Sequence, residues 1–280
     1  MKKSFILTLI AAGMLLTGCV GEQTRDKERG RDADRTQQKQ PESAPGKPVR
    51  KPAADAVPAG ARALMKAYPD FIKGYKEGKL LMSDGSTMLY DDGRKKEFTE
   101  MLDNSDPEDM FYVKYTVPAD KPEYLADAGR SRCEALFKKM YGSSAAEVKG
   151  NLVKVPWFGQ TVEFTRVNGA ADALKAVAAE LGQHPDLRPY LKSSGTFYWR
   201  TVRGAKRQSA HSYGIAFDIG VDHSDYWLWK NPGAAETDRI QYANRIPRKI
   251  VDIFQRHGFI WGGAWYHYDT MHFEYRPELL

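Results

Sequence analysis

The stretch Ser209-Ala210-His211-Ser212-Tyr213-Gly214-Ile215-Ala216-Phe217-Asp218 constrains this chain more than any other. Beyond Gly214 the residues alternate. Ile215, Phe217, Ile219 and Val221 fall on one face, and Ala216, Asp218 and Gly220 on the other. This period of two predicts a half-buried strand. A carboxylate flanked on its own face by Ala and Gly has open space around it, which suits a bound ion or ligand. Gly214 lies between His211 and Asp218 and predicts a bend that brings the imidazole round to the carboxylate.

A second pair of the same kind lies near the C-terminus, in Trp261-Gly262-Gly263-Ala264-Trp265-Tyr266-His267-Tyr268-Asp269-Thr270-Met271-His272-Phe273-Glu274-Tyr275. Met271, Phe273 and Tyr275 share one face of a short strand, leaving His272 and Glu274 on the other. Asp269 precedes His272 by three residues. Two His and one Asp make a three-ligand zinc set with one position left open, the mark of a catalytic rather than a structural site. Zinc in such a site lowers the pKa of water to about 7. An unligated carboxylate must then move the proton to the leaving amine, and Asp269 and Glu274 are the candidates. A cation must steady the oxyanion, and Arg200 or Arg203 can supply it.

The remaining histidines and aromatics carry weaker signals. His267 competes with His272 as a ligand by position, but its tyrosine neighbours favour a surface location. His184, His223 and His257 sit in turn or helix-end contexts and read as solvent-facing. Glu274 shares the face of His272 and is placed to orient it. Tyr226, Trp227 and Trp229 suit either the wall of a cleft or plain core.

Taken together, Ser-x-His-x-x-Gly-x-Ala-x-Asp and the later Asp-x-x-His resemble the zinc D-alanyl-D-alanine carboxypeptidases. The resembling branch contains the phage endolysins that cut between L-Ala and D-Glu and the vancomycin-resistance D,D-peptidases. The resemblance spans roughly Val153 to Tyr275 and implies an α+β, hedgehog-like fold. It implies that His211, Asp218 and His272 hold one Zn2+ per chain and that Asp269 is the catalytic acid/base, with Asp rather than Glu there fitting the endolysin-like branch. It further implies that Arg200, in Thr196-Phe197-Tyr198-Trp199-Arg200, assists the transition state, with Arg203 the alternative, and that Ser209 touches substrate.

The N-terminus reads as an address and an anchor. Lys2 and Lys3 precede an apolar run from Phe5 to Leu16 that is too short to span a bilayer, so residues 1–18 read as a signal peptide. The run ends in Leu16-Thr17-Gly18-Cys19, which resembles a bacterial lipobox with Cys19 lipidated. Residues 19–59 are charged, rich in Gln and Pro and nearly free of large apolar side chains, which predicts a disordered tether. The chain has two cysteines; if Cys19 is acylated, Cys133 stands alone as an inert buried thiol and no intramolecular disulfide forms.

The remainder is long enough for one core, divided into an N-terminal part with no assignable role (60–152) and a zinc peptidase core (153–280). Helices are predicted over Ala61–Tyr75 with a break at Pro69, Lys95–Leu102, Ser131–Tyr141, Ala170–Leu181 capped by Asn168, and Pro247–His257. A hairpin is predicted around Asp84-Gly85, and strands over Thr161–Val167, Thr196–Val202 and Met271–Tyr275. This mixture predicts an α+β domain with a mainly antiparallel sheet flanked by helices. The formal net charge of +6 is mild and the charges in the tether are mixed, so nucleic acid is not an expected partner. With no Gly-rich phosphate loop and no Gly-x-Ser-x-Gly elbow, neither a nucleotide cofactor nor a serine hydrolase is expected.

The expected function is therefore that of a zinc metallopeptidase acting on peptidoglycan stem peptides, as a D-Ala-D-Ala carboxypeptidase or an L-Ala-D-Glu endopeptidase. It is expected in a bacterial cell envelope, lipid-anchored to a membrane and facing periplasm or wall. The rival expectation is a non-catalytic envelope lipoprotein that binds peptide or wall through the same cleft.

Overall fold

Pro69 shapes the first part of the domain. A computed structural model of the chain describes residues 56–280, so the expectations for the signal peptide, Cys19 and nearly all of the tether lie outside the described residues. Helix α1 runs Ala59–Ala67 and does not continue to Tyr75. Proline removes the N–H that would bond back along the helix and disfavours the helical region for Tyr68. The chain turns instead, and Ile72–Lys76 becomes strand β1. It pairs antiparallel with β2 (Lys79–Met82), which pairs with β3 (Thr87–Leu89) across the expected Asp84-Gly85 turn. Gly85 sits at φ 82°, and Asp84 accepts the Ser86 N–H at 3.0 Å.

Three short helices follow: α2 (Phe98–Asp103), α3 (Glu134–Tyr141) and α4 (Ala145–Gly150). Cys133 stands at the N-cap of α3, buried, and burial pushes its thiol up to about 11. A hairpin of β4 (Leu152–Trp157) and β5 (Gln160–Thr165) leads into α5 (Ala170–Leu181). Gly169, not Asn168, is the N-cap of α5. Both residues adopt positive φ, and the Asn168 amide is drawn away to donate to the Tyr141 hydroxyl at 3.3 Å.

The remaining elements are β6 (Ser193–Gly195), β7 (Ala216–Ile219), α6 (Trp227–Lys230), α7 (Arg248–Arg256), β8 (Phe259–Trp261) and β9 (His272–Tyr275). The four strands form one antiparallel sheet in the order β6-β7-β9-β8. The fold is thus α+β, with three separate antiparallel sheets among the described residues rather than one. Thr196–Val202 is not a strand beyond a single bridge from Thr201 to Gln208. Its aromatic run suggested pleated structure, but Tyr198 and Arg200 are exposed and its backbone N–H groups bond to the His211 carbonyl and the Ser212 hydroxyl.

Two apolar clusters hold this sheet in place. Helices α5 and α7 bring Leu174, Val177, Ile250 and Phe254 against Trp157, Phe217 and Phe273, with the Phe254 and Phe273 rings stacked at 3.9 Å. On the other side, Leu64 of α1, Tyr68 just after it, and Leu136 and Phe137 of α3 pack with Tyr213, Ile215 and Ala216. Strand β7 therefore joins both clusters, and Asp218 is the position on it that stays half-open.

Candidate active site

The bend at Gly214 sets the geometry. Ala210–Tyr213 form a single 3-10 turn that ends on Gly214 at φ 67°. A Cβ at Gly214 would fall 2.6 Å from Leu152 Cδ2, so both conformation and space favour glycine there. The Ser212 hydroxyl fastens the turn to the preceding loop, accepting the Arg200 N–H at 2.9 Å and donating to the Arg200 carbonyl at 2.8 Å. The chain then returns as β7, and His211 Nε2 comes to 3.2 Å from Asp218 Oδ2.

The third member arrives from the neighbouring strand. Asp218 and His272 are cross-strand partners in the β7–β9 register, and Asp218 Oδ1 lies 2.8 Å from His272 Nδ1. The ligand atoms of His211, Asp218 and His272 all lie within 4.8 Å of one another. Two further acidic groups, Asp91 with Asp92 and Asp106, and Asp106 with Glu108 and Asp109, lie in the N-terminal part.

Each imidazole is oriented from behind. His211 Nδ1 bonds to the Thr196 carbonyl, which can only accept, so Nδ1 carries the proton. Nε2 and Asp218 Oδ2 then face each other as two acceptors, an arrangement that calls for a proton or a cation between them. His272 Nε2 donates to Glu274 Oε1 at 3.0 Å. Glu274 is buried and in turn accepts from Arg132 Nη1 at 3.0 Å and Arg276 Nη1 at 3.2 Å. Arg132 and His272, with a smaller effect of Arg276, hold the Glu274 carboxyl down to about 2 against the burial that would raise it. Burial would lower His272, but Asp218 and Glu274 push it up to about 10. Two imidazoles, each with its outer partner in place, and a carboxylate fit a divalent metal such as zinc.

Asp269 occupies the turn before β9. Its N–H donates to the Gly262 carbonyl at 3.0 Å, and its own carbonyl accepts from the His272 N–H at 3.2 Å. The turn packs so closely that a Cβ at Gly262 would lie 2.6 Å from the Asp269 carbonyl oxygen. Asp269 Oδ1 is sealed from solvent and has no hydrogen-bond partner among the described residues. Burial, reinforced by the Asp218 carboxylate, pushes Asp269 up to about 7 against the opposing effect of His272 and His211. A carboxyl of that kind exchanges protons near neutral pH.

A cleft of about 560 Å³ joins these groups, and its lining includes His211, Asp218, Asp269, His272, Ser209, Arg200 and Arg203. The residues given a metal, catalytic or substrate role from the sequence within the described region therefore line one cleft. Ser209 is buried at the start of the 3-10 turn. Arg200 and Arg203 are both exposed at the cleft, and Arg200 Nη1 donates to the Thr201 carbonyl at 3.2 Å. Trp227 is buried and Trp229 is 56% exposed, so that trio forms cleft wall rather than deep core.

Four histidines depart from expectation. His267 is not on the surface but 1% exposed, bonded through Nδ1 to Asp127 and 2.8 Å from the Glu236 carbonyl, with Phe98 stacked on its ring at 5.9 Å. Its tyrosine neighbours pack inward around it: the Tyr266 ring lies 5.0 Å away. His184, His223 and His257 are half-buried, with His257 Nε2 2.8 Å from Glu180 and the His223 ring 4.8 Å from Tyr190.

The N-terminal part contributes cleft residues that the sequence left without a role. Arg130 and Arg132 line the cleft, as does Arg207 from the loop before the first motif. The only local hint was two arginines alternating with small residues just ahead of an apolar helix, in Gly129-Arg130-Ser131-Arg132.

Comparison with known proteins agrees with this geometry. No curated protein matches the chain. Residues 203–275 match the model of a protein family described as D-alanyl-D-alanine carboxypeptidase. The match begins after Arg200 and leaves out Arg130 and Arg132, but it contains the three clustered ligand-type residues and Asp269. Over residues 203–275 this chain is therefore similar to the D-alanyl-D-alanine carboxypeptidase family.

Proposed function

We propose that this protein is a zinc-dependent peptidase of the bacterial cell envelope that hydrolyses peptidoglycan stem peptides, as a D-Ala-D-Ala carboxypeptidase or an L-Ala-D-Glu endopeptidase. The observation that carries the reading is the meeting of His211, Asp218 and His272 in one cleft with the Asp269 carboxyl, whose Oδ1 has no hydrogen-bond partner among the described residues. A site that only bound peptide would need the first three and not the fourth.

His211 Nε2, Asp218 and His272 Nδ1 would hold the ion. Zinc, when bound, acidifies the attacking water and polarises the scissile carbonyl. Asp269 takes a proton from the attacking water and returns it to the leaving amine, a task suited to a carboxyl pushed up to about 7. Arg200 at the cleft steadies the oxyanion, with Arg203 beside it as the alternative cation. Ser209 offers a hydroxyl to the bound peptide. Acylation of Cys19 would anchor the enzyme to a membrane facing periplasm or wall.

The test is incubation of purified muropeptides with the protein, with and without a chelator, and identification of products by mass. Loss of terminal D-Ala marks a carboxypeptidase, and a cut after L-Ala marks an endopeptidase. If neither product forms and Asp269→Ala changes nothing that the protein does, the reading fails and a peptide- or wall-binding role replaces it.

A further inference from the structure

A second groove, of about 440 Å³, borders the metal-binding cluster outside the cleft. Its lining includes Gly195 and Thr196 together with Lys154, Thr161 and Glu163 of the β4–β5 hairpin. Gly195 and Thr196 also reach the cluster. The Thr196 carbonyl accepts from His211 Nδ1, and Gly195 is the cross-strand partner of Asp218. Gln160 fastens the hairpin to β6, its amide lying across Ser193 as a neighbouring strand would. Its Oε1 accepts the Ser193 N–H at 2.8 Å, and its Nε2 donates to the Ser193 carbonyl at 3.2 Å. The groove therefore stands ready without a ligand. Lys154 and Glu163 are exposed cross-strand partners, so it offers one charge of each sign beside the hydroxyls of Thr161, Ser193 and Thr196. Such a lining suits a polar chain rather than an apolar molecule.

Gly195 is the residue that links groove and cluster. Glycine weakens a strand, so its place in β6 calls for a reason. Conformation does not supply one, because Gly195 is not among the glycines with positive φ. The register of β6 on β7 shifts between Ser193 and Gly195, but a bulge without positive φ accepts other residues. Packing does not supply one either. A Cβ at Gly195 would lie 3.7 Å from Asp218 Oδ2, an ordinary contact, with no other atom beyond its chain neighbours within 4 Å. The space over Gly195 is thus left free by the protein, and it ends on the carboxylate oxygen that faces His211. A strand glycine with free space over it lets the backbone of a ligand approach closely.

We propose that this groove is the second half of the substrate path: a peptide extended through the cleft crosses Gly195 beside the cluster and continues along Lys154, Thr161 and Glu163. The proposal rests on the peptidase reading above and deepens it. A carboxypeptidase that removes one residue needs room for only that residue on one side of the scissile bond. Here a cleft of about 560 Å³ contains the cluster and a groove of about 440 Å³ continues past it, leaving room for more than one residue in each direction. The substrate class that follows is a polar peptide extended on both sides of the cut, and the reaction is endopeptidase cleavage. Water adds across an internal amide: its oxygen goes to the carbonyl carbon, and the amine leaves with the proton.

The experiment gives the zinc-loaded full chain a nested set of stem peptides, built around the bond that mass analysis shows to be cut and lengthened residue by residue at either end. In the unaltered protein, lengthening at each end is expected to raise kcat/KM by roughly tenfold or more, as binding remote from the cut is used in the transition state. Two variants obstruct the groove. Thr161→Trp fills it from an exposed strand position that suits an aromatic, and Gly195→Ala sets a methyl in the path. In both, the gain from lengthening should disappear at one end and persist at the other. Circular dichroism and chelator competition confirm that fold and zinc site are intact, and either variant alone suffices. Release of one terminal residue with no dependence on length, or the same long-to-short ratio in parent and variants, would overturn the proposal. If no peptide is cleaved, the peptidase reading fails on its own. The groove is then read by calorimetric titration of the same peptides. Affinity that rises with length in the parent but not in Thr161→Trp supports it, and equal affinities reject it.

Discussion

Asp218 and His272 stand directly opposite each other on adjacent antiparallel strands, and a single carboxylate faces both histidines of the site: Oδ1 is 2.8 Å from His272 Nδ1 and Oδ2 is 3.2 Å from His211 Nε2. The carboxylate is held well below the usual range because the two imidazoles outweigh the burial that opposes ionisation. Asp218→Asn keeps the shape and removes the charge. It is expected to weaken zinc binding by more than roughly a hundredfold, beyond the 10–100-fold typical of losing a residue that only orients a ligand. Competition with a chromophoric chelator measures this, and unchanged affinity would rule out Asp218 as a ligand.

Asp269 gives a pH dependence whose sign follows from its shift. Its folded-state pKa, about 7, lies above the 3.8 of an ordinary Asp. The folded state therefore holds the proton more tightly than the unfolded one. The stability this contributes is fully present below about pH 4 and is lost as pH rises through about 7. In metal-free protein Asp269→Asn should remove that loss and be the more stable form at pH 8, by roughly 2–4 kcal/mol, while the two forms converge near pH 4. Urea unfolding at both pH values tests it. A variant equally or less stable than the parent at pH 8 would show that Asp269 is not a strained carboxylate. In the loaded enzyme the same change is expected to lower kcat by roughly 10²–10⁴-fold with zinc retained.

Much of the site was legible in the sequence because its geometry is local. Gly214 forces a bend over a few residues, and the strand period of two puts Asp218 on one face of β7 and His272 with Glu274 on one face of β9. Pro69 likewise marked the end of α1, which stops at Ala67. What escaped depends on partners far away in the chain. His267 looks like a surface residue among tyrosines until Asp127, 140 residues earlier, is seen bonded to it. Arg132 acquires meaning only through Glu274, 142 residues later. The strand expected over Thr196–Val202 failed for the same reason, since its backbone groups are claimed by the His211 turn rather than by a sheet.

Glu274 links that distant N-terminal part to the metal-binding cluster. It accepts from His272 on one side and from Arg132 and Arg276 on the other, all of them buried. Glu274→Gln leaves the buried Arg132 without its counter-charge and Arg276 with Glu278 alone, and is expected to cost about 3–5 kcal/mol of stability. It should also lower zinc affinity about 10–100-fold, since a neutral amide is a weaker acceptor for His272 Nε2–H. Chemical unfolding and chelator competition read the two effects separately. A variant with normal stability and normal zinc affinity would show that this buried chain of charges does not support the site.

Gly214→Ala tests whether the bend itself positions His211. The added methyl meets Leu152 Cδ2 at 2.6 Å and the residue must hold φ 67°, a region costly to alanine. Leu152 is a flexible side chain at the start of β4 and can retreat, but the backbone strain cannot be relieved without opening the turn. The expected loss is about 1–3 kcal/mol in thermal or urea unfolding. Opening the turn moves His211 away from Asp218, so zinc affinity should fall together with stability. Ala at position 205, in the exposed loop of the same segment, changed to Gly serves as a control that alters loop entropy without touching the turn. If Gly214→Ala lowers stability while zinc affinity stays at the parent value, the bend is a packing requirement of the β4–β7 contact and His211 is placed by its bond to the Thr196 carbonyl instead.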